Sequence, residues 1–456
     1  MESQIKRLLW LYFLLIVGEG VLRKWVFPGL SEPLLIIRDP IALIIYGLAL
    51  MCGRFPIRPS ILFLGGLAIV SAVFGMVSGA PPFVVLYGVR INYFHVPLIF
   101  IMADLLDRRD IIAYGRAVLW LTIPIGLLMF LQFRAGPGTW LNAGAGGDLD
   151  SQLRGALGKV RPPGPFTFIS GPILWFSLAT AFTFYGWMKR GTYPRLLLMA
   201  STCMIVIAIP ISISRMLMFS VFVVLAFGGI ATLRNPRQAF AIFAPLLLIA
   251  ITFAFIGGGE MTEAFASRWK TSNASGFHDS VIARFFSDYF GVFDMLTEAP
   301  LFGFGIGMGS NVGARFTTGR MGFQLAEAEW TKIVLELGPL VGLSFIFFRC
   351  WLAVRLLFSS WISVFSKGDS LPWLLCGACV LPVINGQWGP PTILGFAVFG
   401  AGLTLAASRT SGEPDELIED DDESVESDED EDDATEDEEI ESEPEPEPLP
   451  RRRRRV

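Results

Sequence analysis

The amino-acid sequence predicts an all-α, polytopic membrane protein. Its 456 residues are 53% hydrophobic and only 17% charged, whereas a soluble domain carries about 25% charged residues. Apolar runs of about twenty residues recur along the chain, and this is the length that an α-helix needs to cross a bilayer. We therefore expect about twelve transmembrane helices, two long outer loops and a disordered acidic tail.

The predicted spans follow one another from the N-terminus. They lie at residues 8–27, 34–52, 60–78, 86–106, 111–133, 166–187, 194–213, 215–233, 238–257, 329–348, 371–387 and 389–408. The last two segments, joined by "NGQWGPP", are alternatively one broken hairpin.

Basic residues in short loops predict the orientation, because such loops stay on the cytoplasmic side of a membrane. With the N-terminus inside, every inner connection is basic: Arg54/Arg58, Arg108/Arg109, Lys189/Arg190/Arg195, Arg234/Arg237 and Arg349/Arg355/Lys367. Both termini are therefore predicted to be cytoplasmic.

The transmembrane domain is predicted to cover residues 1–409, with two long outer loops at 134–165 and 258–328. Loops of this length are uncommon in compact proteins unless they are functional or disordered. Within the second loop, "VIARFFSDYFGVFDMLTEAP" is rich in aromatic residues at helical spacing. This pattern predicts an amphipathic helix that lies near the membrane surface.

Residues 410–456 differ in composition from the rest of the chain. Between Glu413 and Glu447 there are 23 acidic and no basic residues, and five arginines close the sequence. Removing these from the totals of 42 acidic and 36 basic residues leaves 19 and 31, a net charge of +12 for residues 1–412. The basic body predicts an anionic substrate or contact with membrane lipids. The tail is predicted to keep the protein soluble or to bind a cytoplasmic partner.

The glycines of "GFGIGMGSN" (303–311) alternate, which fits neither the dinucleotide nor the phosphate-loop pattern. Two interpretations stay open. The loop is either a turn that permits close backbone packing, or a nest of backbone N–H groups that faces an anion. No feature of the sequence predicts a nucleic-acid partner.

Charged residues also lie inside the predicted spans, where they are costly and usually face a protein interior or an aqueous cavity. They are Glu19, Arg23, Lys24, Arg38, Asp39 and Arg90. Glu19 and Arg23 are one helical turn apart and Arg38 adjoins Asp39, so mutual neutralisation is expected. Alternatively these four residues form a coupled transport pathway. Arg90 and His95 have no obvious local partner.

The segment "LAEAEWTKIVLELG" (325–338) places two carboxylates before an apolar run. Glu329 at the start of a helix complements the helix dipole and can pair with Lys332. Lys332 can also pair with Glu336, and Trp330 fits an interfacial aromatic residue. Glu327 has no such local partner and precedes the span on the side of the arginine-rich loop.

Several of these segments resemble the bacterial O-antigen ligase and O-antigen polymerase family of membrane glycosyltransferases. The similar motifs are "SISRMLMF", "IARFFSDYFGVFDMLTEAPLFGFGIGMG" and "EAEWTKIVLELGPLVGL", and together they cover roughly residues 195–350. The resemblance implies a bacterial inner-membrane protein that transfers a glycan from an undecaprenyl-diphosphate carrier to a polysaccharide or lipid acceptor. The reaction takes place on the periplasmic side and uses neither a metal nor a nucleotide.

The resemblance also implies roles for individual residues. Arg215 and Arg284 match the family arginines that hold the diphosphate. The chain's own charges add Arg268, in the same outer loop as Arg284, and Arg38 and Arg90 as further candidates, because the arginine fork suits a phosphate.

Ligases of the family carry a histidine eleven residues before the glycine of "E-L-G", and here that position is Glu327. Glu327 is therefore the predicted catalytic residue, and three interpretations stay open: it is the base, it only orients the acceptor, or it marks an inactive homologue. The missing histidine weakens the ligase interpretation and leaves a polymerase, or a ligase with another acceptor, more open.

Two further functions stay open beside the glycosyltransferase. One is a polysaccharide or lipid transporter, or flippase, that uses the intramembrane charges. The other is a membrane scaffold whose acidic tail recruits a partner.

Overall fold

The computed structural model describes residues 1–149, 152, 158–233, 283–319 and 325–413, with backbone alone for 283–288. This part of the chain is helical. The helices are α1 (Glu2–Val21), α2 (Asp39–Met51), α3 (Pro59–Val77), α4 (Pro82–Val89), α5 (Val96–Leu105), α6 (Arg108–Arg134), α7 (Ser170–Met188), α8 (Arg195–Ile211), α9 (Arg215–Thr232), α10 (Ala283–Met295), α11 (Asn311–Thr318), α12 (Glu329–Ile362), α13 (Leu371–Asn385) and α14 (Pro391–Arg409). Short π-helical or 3-10 turns continue several of them.

Seven helical stretches within the described residues are long and apolar enough to cross a bilayer. They are Pro33–Met51, Pro59–Val77, Pro82–Leu105, Arg108–Arg134, Arg215–Thr232, Glu329–Lys367 and Pro391–Arg409. The described part of the chain is thus all-helical and has the helices of a multi-pass membrane protein, and the total of twelve spans stays a prediction.

Helices occupy the predicted apolar segments wherever the structure describes them. The segment 238–257 and the first part of the loop 258–328, including Arg268, lie outside the described residues. Helix α14 ends at Arg409, and the predicted tail lies outside the description from residue 414 onward. The last two predicted segments are the separate helices α13 and α14.

Helix α14 packs against both α5 and α13 in the interior. Aromatic rings join this group to α1, α6 and α7. The Phe13 ring stacks on Phe399 with centroids 5.0 Å apart, and the Trp10 ring stacks on Tyr114 at 3.9 Å. By contrast, α2 and α3 expose apolar side chains such as Leu43, Leu62 and Ile69. Those two helices therefore have faces suited to lipid.

One end of the bundle, called here the basic end, is crossed by ion pairs between helix termini. These pairs are Arg54–Glu2 at 2.7 Å, Arg58–Asp104 at 2.7 Å, Lys6–Asp107 at 2.6 Å and Arg108–Asp369 at 2.7 Å. Asp107 also caps α6 through a reciprocal capping box with Asp110, which satisfies two backbone N–H groups. The predicted inner-side residues Arg54, Arg58, Arg108 and Lys367 all lie at or near this end.

The opposite end, called here the loop end, contains the segments 22–38, 134–149, 158–166, 300–319 and 386–390. Contacts between these segments bring them together. Lys24 donates to the carbonyls of Gly164 and Phe166 at 2.9 and 3.2 Å. The Trp25 indole donates to the Trp140 carbonyl at 3.0 Å.

Helix α12 folds back on itself at Gly338, and the predicted span 329–348 is wrong in this respect. Gly338 has φ 76° and ψ 164°, outside the helical region. A Cβ added at Gly342 would lie 2.9 Å from the Val334 Cα, so the two arms pack side by side. Residues 329–337 form a short helix, and the spanning arm begins at Pro339. Glycine tolerates this backbone, and the proline cannot continue the preceding helix.

The fold-back also corrects the position of Arg349. The predicted span ended at residue 348, which placed Arg349 in an inner loop. The spanning arm instead continues to Ile362, so Arg349 is buried between the arms of α12 and the end of α13.

Candidate functional site

The first cluster of charges at the loop end comprises Glu19, Arg23, Arg38, Asp39, Arg90 and His95. Glu19 on α1 contacts two of its arginines. Arg23 Nη1 lies 3.1 Å from Glu19 Oε1, and Arg38 Nε lies 3.5 Å from Glu19 Oε2. The predicted neutralisation of Glu19 by Arg23, one turn away, is confirmed. Arg23 also donates to the Ser31 carbonyl at 2.8 Å, which holds the segment after α1 in place.

Asp39 is the second carboxylate of this cluster. It accepts hydrogen bonds from Arg90 at 2.5 and 3.0 Å, and it lies 3.2 Å from His95 Nε2. The expected neutralisation between adjacent Arg38 and Asp39 is thus replaced by pairing with separate partners. Arg90 and His95, which lacked local partners in the sequence, find one on another helix. Three guanidinium groups face two carboxylates, so the cluster has a formal excess of one positive charge when His95 is neutral.

The second cluster comprises Glu329, Lys332, Glu336 and Arg349, all on α12. Glu329 Oε2 accepts from Lys332 at 2.5 Å, which confirms the predicted i,i+3 pair. Glu329 Oε1 accepts from Arg349 at 3.1 Å, twenty positions further along the chain. Sequence reasoning missed this second partner, because it depends on the fold-back at Gly338. The sequence did contain a signal of this contact. Arg349 interrupts the apolar run that follows the dipeptide Gly338-Pro339, and a charge inside such a run usually has a buried partner.

The predicted partner Lys332 acts on Glu336 through its charge, but the hydrogen bonds of Glu336 go to the glycine loop. Its Oε1 accepts from the Gly309 N–H at 2.7 Å, and its carbonyl accepts from Gly305 at 3.0 Å. Gly303, Gly305 and Gly307 have φ of 69°, 105° and 90°, which only glycine adopts without strain. Both interpretations of "GFGIGMGSN" are correct in part. The loop packs closely against α12, and the anion that one of its N–H groups faces is Glu336.

The loop 386–390, between α13 and α14, links the two clusters. Arg38 donates to the carbonyl of Pro391 at the start of α14. On the other side, Arg349 donates to the carbonyls of Gly386 and Val383 at 2.7 and 2.9 Å. The loop 386–390 and the first residue of α14 are therefore held by an arginine of the first cluster on one side and by an arginine of the second cluster on the other.

Glu327, the predicted catalytic residue, lies beside this connection. Its side chain is exposed, and its carbonyl accepts a hydrogen bond of 2.7 Å from the Gln387 amide. A solvent-exposed carboxylate can accept a proton from a bound hydroxyl group.

Arg215 begins α9, directly after the turn that ends α8. Ile213 in this turn has φ 47°, a conformation that is costly for a β-branched residue. Ser212 Oγ accepts from the Ser214 N–H at 3.1 Å and supports the turn. Ser220, on the first turns of α9, contacts Ile173 near the start of α7. Arg215 thus lies on the loop-end side and is half-buried.

Arg284 lies in the first turn of α10, and its side chain lies outside the description. The predicted helix in this aromatic segment is confirmed as Ala283–Met295. The Tyr289 ring packs edge-on against Trp330, with centroids 4.8 Å apart, and Phe290 and Phe293 are exposed. The Trp330 indole also donates to the Ile384 carbonyl at 2.9 Å. Helix α10, the start of α12 and the end of α13 therefore meet beside Glu327.

Among the predicted site residues, the described contacts join Arg38 and Arg90 to the first cluster. Helix α10, which carries Arg284, is placed against the segment that follows Glu327. Arg268 lies outside the described residues.

A cavity of about 400 Å³ lies at the basic end, away from these groups, and is lined by residues that include Arg108, Tyr185, Lys367 and Asp369. It therefore does not coincide with the predicted site.

The chain matches no protein-family model, and no curated protein matches it. The function is therefore argued from the chain's own residues.

Proposed function

We propose that this protein is a bacterial membrane glycosyltransferase that polymerises or ligates an undecaprenyl-diphosphate-linked polysaccharide. One observation supports this most directly. An exposed carboxylate, Glu327, is held beside a buried, arginine-containing network and next to the helix that carries Arg284. A base beside cationic groups is the combination that transfer from a charged lipid carrier requires.

The proposed reaction exchanges one C–O bond for another. The acceptor hydroxyl oxygen attacks the anomeric carbon of the glycan, and the bond from that carbon to the diphosphate breaks. The lipid diphosphate leaves with the bonding electron pair, and Glu327 takes the hydroxyl proton. Arg215, Arg284 and Arg268 stabilise the negative charge that develops on the leaving diphosphate.

Arg38 and Arg90 are proposed to assist at longer range. Both are buried and already paired with carboxylates. The formal excess of one positive charge in their cluster makes the loop end favourable for an anion.

The proposed orientation places the basic end in the cytoplasm and the loop end in the periplasm. Basic residues in short connections support this arrangement, since such connections are retained on the cytoplasmic side. Glu327, Arg215 and the start of α10 then face the compartment in which lipid-linked glycans are assembled in the similar family. The protein would lie in the inner membrane with both termini in the cytoplasm.

Deletion of the gene followed by analysis of surface polysaccharide tests this proposal. Loss of a polymerase leaves single repeat units on the normal acceptor, and loss of a ligase leaves full-length chains on the lipid carrier. Complementation with Arg215→Ala or Arg284→Ala should fail at equal protein levels, and Arg195→Ala, at the start of α8, should restore the polysaccharide. An unchanged polysaccharide in the deletion strain would contradict the proposal.

A transporter or flippase is the second candidate, and the first cluster favours it. Glu19, Arg23, Arg38 and Asp39 are buried or half-buried charges near the end of α1 and the start of α2, and buried charges of this kind mark transport pathways in many membrane proteins. Proteoliposomes separate the two functions. A flippase moves labelled lipid-linked glycan between leaflets without changing its length, whereas the proposed enzyme forms a new glycosidic bond.

A further inference from the structure

Glu327 is attached to the bundle through its main chain. The side-chain amide of Gln387 donates to the Glu327 carbonyl at 2.7 Å, while the Glu327 carboxylate is exposed. Gln387 lies in the loop 386–390. The hydrogen bond therefore fixes the main chain that carries the carboxylate and leaves the carboxylate open to a ligand.

The loop that carries Gln387 is itself held by Arg349. This guanidinium donates to the Gly386 carbonyl at 2.7 Å and stacks over the Trp388 ring, 4.1 Å from its centroid. Arg349 and Trp388 are both fully buried. The residues on each side of Gln387 are thus fixed by one buried cation.

Arg349 also fixes the segment that contains Glu327. Arg349 donates at 3.1 Å to the carboxylate of Glu329, which lies two positions after Glu327. The backbone N–H of Trp388 lies 3.4 Å from the same carboxylate oxygen. Two consecutive loop residues, Gln387 and Trp388, therefore form hydrogen bonds with Glu327 and Glu329, which are two positions apart. This double attachment defines both the position and the direction of the segment.

On the basis of the proposed function, we infer that Gln387 and Arg349 are positioning residues that hold Glu327 against the acceptor hydroxyl. Neither touches the substrate in this role. A base must lie within hydrogen-bond reach of the proton that it takes, and a displacement of about 1 Å can lower the rate by up to about a hundredfold. Side chains that support the main chain of such a base contribute through its placement.

Gln387→Leu tests this inference in the purified full-length protein in lipid nanodiscs. The substitution keeps the size of the side chain and removes the donor. With an undecaprenyl-diphosphate oligosaccharide as donor, we expect kcat to fall by about tenfold or more and KM to change by less than about twofold. Gln387→Glu should behave alike, since a carboxylate cannot donate to a carbonyl. The control Thr139→Val removes another exposed loop-end hydrogen bond, to Gly136, and should keep full activity.

A double-mutant cycle separates positioning from general damage. In a Glu327→Ala background, Gln387→Leu should lower the residual rate by less than about twofold, because the residue that it positions is gone. Equal losses in both backgrounds, or full activity of Gln387→Leu, would overturn the inference while leaving the proposed function intact.

Hydrogen exchange provides a readout that does not depend on chemistry. The backbone amides of residues 325–331 should exchange faster in Gln387→Leu than in the wild type, and unchanged exchange would contradict the anchoring. A wild-type protein that transfers no glycan would instead overturn the proposed function, and with it the catalytic part of this inference.

Discussion

An ion pair at the basic end and one at the loop end differ sharply in their exposure to solvent. At the basic end, Arg54 and Glu2 have side chains that are 54% and 50% exposed. At the loop end, Arg349 and Glu329 are 0% and 1% exposed. Exposed pairs contribute little to stability, whereas breaking a buried pair leaves a charge without compensation. The Arg54–Glu2 pair therefore adds little to stability, whereas the Arg349–Glu329 pair, like Arg108–Asp369 at the basic end with 2% and 8% exposure, is costly to break.

Removal of Arg349 should give the largest effect on stability. Arg349→Ala leaves Glu329 buried beside Lys332 alone and frees the carbonyls of Val383 and Gly386, so we expect a loss of about 3–5 kcal/mol. An unfolding titration in mixed detergent micelles measures this loss. The double variant Glu329→Gln with Arg349→Met should recover at least half of it, because one buried cation and one buried anion are removed together and the remaining charges, Lys332 and Glu336, offset each other. Wild-type stability of Arg349→Ala would show that the buried pair is dispensable.

Two glycines with positive φ, one at each end, provide the next comparison. Gly338 (φ 76°, ψ 164°) has a backbone conformation open essentially to glycine alone, and a Cβ there would lie 2.8 Å from the Leu301 carbonyl carbon. Gly368 (φ 77°, ψ 12°) is left-handed helical and has open space around it. Gly338→Ala should therefore destabilise the protein by about 3 kcal/mol, and Gly368→Ala by about 1 kcal/mol. The same titration compares them. Equal losses would mean that neither the backbone conformation of Gly338 nor its close approach to Leu301 restricts the side chain at this position.

The smallest effect is expected at the exposed pair of the basic end. Arg54→Ala should change stability by less than about 0.5 kcal/mol, and the change should disappear in high salt because exposed charges are screened. Unfolding titrations at low and high ionic strength provide the measurement. A loss comparable with that of Arg349→Ala would mean that the exposed pair contributes as much to stability as the buried pair.

Local sequence patterns predicted most of the helices and two short-range pairs, Glu19–Arg23 and Glu329–Lys332. Long apolar runs give α3 or α9 directly, and the pair Glu329–Lys332 follows from helical spacing. The contacts that build the site depend on tertiary structure. Asp39 and Arg90 are 51 positions apart, and the apolar pattern continues across Gly338, so periodicity alone extended the span through the fold-back. The Gly-Pro dipeptide was the local signal of that break.

The position of Glu327 shows the same limit. Its place at the start of a helix followed from the sequence, but its hydrogen bond to Gln387 joins residues 60 positions apart. The side chains of Arg284 and Glu327 cannot be related by spacing, because they lie on separate segments. Their joint role in diphosphate binding and proton transfer stays a prediction.

Glycan transfer by Glu327→Gln tests the central claim most directly. The substitution keeps the size of an exposed side chain, so the unfolding titration should match that of the wild type. In nanodiscs with an undecaprenyl-diphosphate oligosaccharide and an acceptor, the wild type should form the new glycosidic bond, and Glu327→Gln should be slower by about a hundredfold or more, because an amide cannot take the hydroxyl proton. Equal rates for the two proteins, or no transfer by the wild type, would contradict the claim.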